Sequence, residues 1–311
     1  MWLGAHIGIA DGLAEAPVTG RAIGCDAIQI FSKSPQMWQG PAIPQAAADG
    51  FAESVRREGL RATAVHHGYL ANLASPKPPM LAQSRAAFAD ELARAELLRV
   101  DALIFHPGAH LGSGVDAGLK TLIESLDEAT AKLPGGTVRI LLENAAGQGT
   151  AIGSAFPELR RVLDGVREPG RFGVAIDTCH LFAAGIDLRS ESAYGAFMDR
   201  LDAELGRAAV RAFHLNDAKG ELGSHRDRHE NIGKGQIGPD GFRHLVTDRA
   251  WAEVPGYLET PLDDDDYARY REDLATLRGL AGGETGKPAR VRTPRAARAA
   301  PRRRATPGGV G

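Results

Sequence analysis

Residues 210–229 read VRAFHLNDAKGELGSHRDRH, and the expected fold follows from this stretch. It opens with an apolar run typical of a buried strand, which ends in His214. A polar loop follows, in which Asp227 and His229 stand two positions apart. Side chains at that spacing on an extended segment point the same way, so they can share one metal ion. Taken alone, these residues fit a polar surface loop as well as a metal site. The residues that end the other predicted strands decide between a metal site and a surface loop.

Short apolar runs recur along the chain and alternate with segments of helical periodicity. The helical segments carry apolar residues three and four apart, as in Phe88, Leu92 and Ala95. A last helix is expected after the acidic run 263–266, with Tyr267 on its apolar face. Eight strands alternating with helices predict an α/β fold, a (β/α)8 TIM barrel. The predicted strands are 2–7, 27–31, 62–67, 102–106, 138–143, 172–177, 210–214 and 256–259.

Ligand-type side chains end six consecutive predicted strands. In such a barrel the active site is built at the carboxyl ends of the strands. A single buried His or Glu is often a satisfied core group, but six unpaired ones would each cost on the order of a few kcal/mol. We therefore expect them to converge on metal ions. The strand ends are His66-His67, His106, Glu143, Asp177, His214 and Glu259.

Adding His180, Asp227 and His229 gives nine nitrogen and oxygen ligands. Zinc usually takes four ligands, so nine suit about three ions when one carboxylate bridges. Cys25 and Cys179 are too few for a thiolate site, and Cys179 is expected to be a small buried hydrophobe. The donor set indicates Zn²⁺, with Mn²⁺ possible at one position. Such a cluster suits hydrolysis, since bound metal lowers the pKa of water to about 7 and neutralises a phosphate.

Charge is distributed unevenly along the 311 residues, whose net charge is −2. Residues 281–311 carry +7 and residues 1–280 carry −9. The basic segment, rich in Arg, Pro and Ala, lacks apolar periodicity, so we expect a disordered tail after a barrel domain of residues 1–280. The tail is either solvated chain or a non-specific tether to phosphate. Without a membrane span or signal peptide, a soluble cytoplasmic protein is expected. We also expect it to be a monomer.

Three segments resemble the signatures of the endonuclease IV family of apurinic/apyrimidinic endonucleases. They are 66–73 (HHGYLANL), 176–180 (IDTCH) and the stretch 214–229. The turns 106–110 (HPGAH) and 143–149 (ENAAGQG) are also similar to that family. The resemblance covers about 280 residues. It implies a trinuclear zinc barrel that acts in base excision repair on double-stranded DNA with abasic sites. Such an enzyme hydrolyses the phosphodiester 5′ to the site, leaves 3′-hydroxyl and 5′-deoxyribose phosphate ends, and trims blocked 3′ ends.

When the family's metal ligands are matched to this chain by position, the resemblance implies that the nine ligands are divided among three zinc ions. It also implies that Glu143 and Glu259 are the catalytic carboxylates. The first ion would take His66 and His106, the second Asp177, His214 and Glu259, with Glu143 bridging these two, and the third His180, Asp227 and His229.

The resemblance further implies contacts with DNA. Tyr69 and Leu70 match a pair that enters the minor groove when the damaged nucleotide is flipped out, although they would also fit packing under a loop. Gln36 stands where the family usually has Arg, which leaves open whether the loop after the second strand penetrates DNA. Ala175 replaces the usual Cys and is expected to be a core residue.

Two other functions use the same barrel. A sugar isomerase or epimerase would need only Glu143, Asp177, His214 and Glu259 and would leave the other five ligands without a role. A metal-stabilised binding protein would have closed sites with no room for water. DNA-binding domains are usually basic, so the acidic body suggests modest affinity for undamaged DNA.

Overall fold

Eight parallel strands close into a barrel in the computed structural model, which describes residues 1–263 and 267–282. The predicted TIM barrel is thereby confirmed, and each strand agrees with its predicted run to within one residue at either end. Two further short strands, β8 and β9, lie outside the barrel. The barrel strands are β1 Trp2–His6, β2 Ala27–Ile30, β3 Ala62–His66, β4 Ala102–Phe105, β5 Arg139–Glu143, β6 Phe172–Asp177, β7 Val210–His214 and β10 Pro255–Leu258.

Barrel closure brings the two ends of the chain together. Strand β10 pairs in parallel with β7 on one side and with β1 on the other, and β1 in turn pairs with β2. Strand β1 therefore stands beside the last barrel strand and β2 only one strand farther away, although more than 200 residues separate them from it along the chain. Side chains from β1, β2 and β10 consequently meet at the same part of the rim.

Helices cover the outside of the barrel, and the apolar residues used to predict them face inward. Phe88, Leu92 and Ala95 are buried on α3. The prediction for Tyr267 was wrong, because it precedes α9 in a left-handed conformation, with φ of 61°, and its hydroxyl accepts the Gly8 N–H. The described helices are α1 Glu15–Ala22, α2 Gln45–Glu58, α3 Pro78–Leu98, α4 Val115–Ala131, α5 Phe156–Gly165, α6 Thr178–Ala183, α7 Glu191–Glu204, α8 Gly238–Thr247 and α9 Ala268–Leu280.

Parts of two predictions fall where the structure gives no description. Residues 264–266 of the acidic run lie outside the described residues, as does the basic tail from residue 283 onward. Within the described ranges, no helix combines the length and apolar character needed to cross a membrane.

The barrel interior is packed mainly with small side chains. Its inner cluster includes several alanines together with Ile104, Leu141 and Tyr257, and Ala175 is fully buried among them, as expected. A larger cluster fills the space between the strands and the helices. Because side chains alternate along a strand, one set of residues faces each cluster. Polar residues interrupt this pattern near the carboxyl ends of the strands, where the site begins.

A short hairpin follows β7 and covers one side of the rim. Its strands, β8 Asp217–Ala218 and β9 His229–Glu230, pair antiparallel. The buried Asp217 carboxylate accepts the backbone N–H groups of Gly233, Gly235 and Ile237 at 2.9–3.0 Å. These hydrogen bonds fix the backbone after β9 and hold the hairpin over the barrel.

Candidate metal centre

The nine predicted ligands meet at the carboxyl ends of the strands. An open cleft of about 390 Å³ is lined by seven of them, together with His6, Phe31, Tyr69 and Tyr270. Asp177 and His214 are fully buried beneath it. Among the described residues, five overlapping groups of side chains each place their ligand atoms within 4.8 Å of one another, and three of these groups together contain all nine predicted ligands. These three groups are His66, His106 and Glu143; Glu143, Asp177, His214 and Glu259; and His180, Asp227 and His229.

The first group centres on one oxygen of Glu143. His66 Nε2 lies 3.0 Å from Oε2 of Glu143, and His106 Nδ1 lies 3.5 Å from the same atom. The other nitrogen of His66 donates to the carbonyl of His67 at 2.8 Å. That bond turns Nε2 toward Glu143, where it donates to the carboxylate in the metal-free protein and can bind metal once that proton is displaced.

The second group uses the other oxygen of Glu143. His214 Nδ1 lies 3.0 Å from Glu143 Oε1, 3.4 Å from Glu259 Oε2 and 3.9 Å from Asp177 Oδ2. Glu143 thus turns one oxygen toward each of two groups. This is the arrangement that a bridging carboxylate needs.

The third group gathers around Asp227. Its Oδ1 lies 3.2 Å from His180 Nε2 and 3.1 Å from His229 Nε2. Both Nε2 atoms are buried, and neither has a hydrogen-bond partner within the described parts of the chain. The Nδ1 atoms donate to the carbonyls of Asn144 and Glu259. Two orphaned ring nitrogens that converge on a carboxylate fit a metal ion that ligates all three.

The carboxylates at the centre raise the pKa values of the neighbouring histidines. Burial acts to lower the pKa of His214, but Glu259 and Glu143 raise it to about 9. Burial also opposes the charged form of His229, yet Asp177 and Asp227 raise its pKa to about 9. The buried carboxylates therefore attract positive charge, which protons supply when metal is absent and metal ions supply when bound.

Gln29 connects the second group to β1 and β2, and the sequence interpretation missed it. Its amide nitrogen donates to Glu259 Oε1 at 2.6 Å and lies 3.0 Å from His6 Nδ1, while its oxygen lies 2.9 Å from His214 Nε2. The signal in the sequence is a lone amide within the apolar strand AIQI. A second signal is His6, which ends β1 much as the predicted ligands end other strands.

Asn216 was missed as well. Its amide nitrogen donates to Asp177 Oδ2 at 2.7 Å, and its oxygen accepts the backbone N–H of Glu259 at 2.9 Å. The side chain is fully buried. Asn216 thus orients the carboxylate of Asp177 and fixes the backbone of Glu259 just after β10.

Two of the three residues predicted to contact DNA, Tyr69 and Leu70, lie at the mouth of the cleft. Tyr69 is 63% exposed and Leu70 is 39% exposed, so neither is packed under a loop. The ring of Tyr69 lies 5.7 Å from Phe31 and 6.5 Å from His106. Gln36 is exposed on the loop after β2.

Two side chains near the ligands have other partners. Cys179 is fully buried, as predicted, and its thiol donates to the Arg228 carbonyl. Burial raises the pKa of this thiol, which disfavours the thiolate form that binds metal. His67 is outside the three groups, and its Nδ1 donates to the Gly68 carbonyl.

Known proteins resemble the chain in sequence and in structure. Residues 20–280 match the family described as xylose isomerase-like TIM barrel. A probable endonuclease 4 from Chloroflexus aggregans is 42% identical over 277 residues, which are 89% of this chain and 96% of the relative. Endonuclease IV from Thermus thermophilus superposes with a TM-score of 0.78 at 32% identity, over 90% of this chain and 100% of that one.

A solved epimerase shares only the fold. D-Psicose 3-epimerase from Clostridium cellulolyticum has a TM-score of 0.65 at 15% identity, over 90% of this chain and 99% of its own. The endonuclease relatives match at far higher identity and over most of their own length. The resemblance seen in the three sequence segments is thereby confirmed. The chain belongs to the endonuclease IV family of apurinic/apyrimidinic endonucleases.

Proposed function

We propose that the protein is a zinc-dependent DNA repair endonuclease acting on abasic sites in double-stranded DNA. It hydrolyses the phosphodiester 5′ to the site, leaves 3′-hydroxyl and 5′-deoxyribose phosphate ends, and trims blocked 3′ ends in base excision repair. The observation that carries the proposal is the set of three ligand groups in one open cleft. An isomerase or epimerase would use the second group alone and leave the other two without a role.

The three groups would hold about three zinc ions, with Mn²⁺ possible at one of them. Bound zinc would supply positive charge for a phosphate and lower the pKa of an attacking water to about 7. His66, His106 and Glu143 would hold the first ion, and Glu143, Asp177, His214 and Glu259 the second. The third would be held by His180, Asp227 and His229.

Glu143 and Glu259 are the proposed catalytic carboxylates. Both are held anionic, because histidines outweigh the effect of burial: the pKa of Glu143 is lowered chiefly by His106 and His214, and that of Glu259 chiefly by His214. Gln29 donates to Glu259, so this carboxylate keeps one direction. The pair therefore presents fixed negative charge toward the cleft at neutral pH.

Substrate binding is assigned to the mouth of the cleft. Tyr69 and Leu70 would enter the minor groove and occupy the space left by a flipped-out nucleotide. Gln36 would offer an amide to base edges or backbone, without a charge. We propose that the enzyme works on DNA as a monomer in the cytoplasm, with the basic tail as a non-specific tether.

The test is incision of a labelled duplex that contains one abasic site. We expect cleavage 5′ to the site, a product that a polymerase can extend, and loss of activity after chelation. Elemental analysis of the same sample should find about three metal ions per chain, at least two of them zinc. Intact DNA after incubation with fully loaded protein would contradict the proposed activity. One ion or none in freshly purified protein would contradict the ligand assignment.

A further inference from the structure

A cluster of buried charges lies outside the metal centre, between helix α3 and the loop of residues 32–41. The side chains of Lys33, Glu91 and Arg94 are only 5%, 1% and 7% exposed. Charged side chains are rarely buried to this degree unless they are paired. A buried ion pair adds little stability compared with apolar residues of the same volume. Selection of one loop conformation is therefore a better explanation for these buried charges than stability.

The first end of the loop is tied to Glu91. Lys33 Nζ donates to one oxygen of Glu91 and, at 3.0 Å, to Asp90 Oδ2. Ser32 Oγ donates to the other oxygen of Glu91. One carboxylate of α3 therefore binds the two consecutive residues with which the loop begins.

The second end of the loop is tied to Arg94. Its Nη2 donates to the carbonyls of Gly40 and Pro41 at 2.8 and 2.7 Å, and its Nε donates to Asp90 at 2.9 Å. Gly40 crosses close to Lys33, since a Cβ on this glycine would lie 2.8 Å from Lys33 Cβ. Both ends of the loop are thus fastened to one face of α3 and to each other.

The tip between these ends touches the turn that carries Tyr69. A Cβ on Gly68 would lie 2.7 Å from the Pro35 carbonyl oxygen, so the two backbones are in direct contact. The ring of Phe31, just before the loop, lies 5.7 Å from that of Tyr69. Gln36 and Met37 remain exposed at the tip. The buried charges therefore determine where the tip stands at the mouth of the cleft.

We propose that Lys33, Glu91 and Arg94 are positioning residues that hold loop 32–41 ready for the DNA substrate. A loop that is ordered before binding does not have to be ordered by the ligand, which raises affinity. The cluster touches none of the nine ligands, so it affects binding rather than the chemical step. The inference rests on the proposed function, because the loop's contact with DNA is part of that proposal.

The first test is Glu91→Gln in the metal-loaded protein. Amide hydrogen exchange in residues 32–41 should accelerate nearly to that of an unstructured segment, because the loop must be open about nine-tenths of the time for affinity to fall tenfold. The dissociation constant for an abasic duplex should rise by about tenfold, while the single-turnover rate at saturating DNA stays within a few-fold and metal content is unchanged. The matched control is Glu128→Gln on α4, where the side chain is 41% exposed and pairs with Arg85. It should change neither loop exchange nor affinity.

A second variant separates loop positioning from stability. Lys33→Met combined with Glu91→Leu leaves no unpaired buried charge, so the stability lost in Glu91→Gln should be regained. Loop exchange and the dissociation constant should stay raised, because the first end of the loop is no longer tied. Parent-like exchange in both variants would overturn the proposal, as would faster exchange with unchanged affinity. If the parent fails to incise abasic DNA, the proposed function fails, while the exchange data still decide whether the cluster holds the loop.

Discussion

Gln29 fixes the ring tautomer of His214. The amide nitrogen of Gln29 lies 2.6 Å from Glu259 Oε1, and its amide oxygen lies 2.9 Å from His214 Nε2. An ionised carboxylate can only accept, so the nitrogen must face Glu259 and the oxygen must face His214. The proton on Nε2 of His214 is therefore retained, and Nδ1, which donates to Glu143 in the metal-free protein, is the nitrogen that can bind metal once its proton is displaced.

Gln29→Leu should weaken metal binding at the second group. The substitution removes the acceptor that fixes the tautomer of His214 and the donor that orients Glu259, and losses of such outer partners typically cost about 10–100-fold in affinity. The measurement is competition with a chromogenic chelator, followed by elemental analysis. Gln45→Leu, at the exposed start of α2, serves as the control. Parent-like resistance of Gln29→Leu to the chelator would show that Gln29 does not support the ligands.

Glu143→Ala should abolish incision almost completely. The substitution removes the carboxylate that the first two ligand groups share. Metal ions stabilise the charged transition state by about several kcal/mol, so losing them should slow incision by about 10³-fold or more. His110→Ala should cost less than about tenfold, because His110 is outside the nine ligands and its Nδ1 accepts backbone N–H groups of its own turn. The measurement is the single-turnover incision rate of each variant. Similar rate losses for Glu143→Ala and His110→Ala would contradict the ligand assignment.

Metal binding should release protons at neutral pH. Burial opposes the charged forms of His214 and His229, but neighbouring carboxylates raise both pKa values to about 9, so both rings are protonated at neutral pH in the metal-free protein. Metal must displace these protons, and its apparent affinity should rise with pH up to about 9. Calorimetric titration in buffers of different ionisation enthalpy measures the release. No dependence on the buffer would show that the rings are already neutral.

The same shifts predict how metal-free stability depends on pH. Because the folded-state pKa values exceed the usual value of 6.5, protonation of these rings contributes stability that is complete below about 6.5 and lost as pH rises through about 9. The melting temperature of the chelated protein should therefore fall over this range. The loaded protein should not show this loss, since metal replaces the protons. Parallel melting curves with and without chelator make the comparison.

Gln36→Arg should tighten binding to abasic DNA. Gln36 is exposed on loop 32–41 and carries no charge, so arginine adds one cationic contact with phosphate. The salt dependence of binding should steepen by up to about one unit of slope, and the single-turnover rate at saturation should stay within a few-fold. Binding isotherms at several salt concentrations give both values.

Tyr69→Ala is the reference for the Gln36 experiment. Tyr69 is exposed at the mouth of the cleft, so its loss should weaken binding and slow incision whichever residue occupies position 36. If Tyr69→Ala has these effects while Gln36→Arg changes neither affinity nor salt slope, the loop after β2 does not reach the DNA.

The barrel could be predicted from the sequence because its strands are buried on both faces. Such strands appear as nearly continuous apolar runs, and a ligand-type residue at the end of a run is conspicuous. His214 after VRAF and Asp177 after FGVAI are examples. The predicted final helix began one residue too early, at Tyr267. Periodicity alone gave no sign that Tyr267 takes a left-handed conformation before α9 begins.

The supporting residues could not be predicted because their roles depend on closure of the sheet. Gln29 meets Glu259 across 230 residues only because β1 brings β2 close to β10. The buried Lys33–Glu91 pair likewise joins a loop and a helix that no local pattern connects. Residue type predicts candidate ligands, whereas the contacts that orient them appear only in three dimensions.

The hairpin formed by β8 and β9 supplies two of the three side chains of the third ligand group, and helix α6 supplies the other, His180. Asp227 and His229 belong to this surface segment, whereas Glu143, Asp177, His214 and Glu259 belong to barrel strands or follow them directly. The segment has its own backbone anchor at Asp217, so it can be exchanged without rebuilding the closed sheet. A change in the length of this hairpin would therefore alter the third ligand group while the second group, on the barrel strands, keeps its geometry.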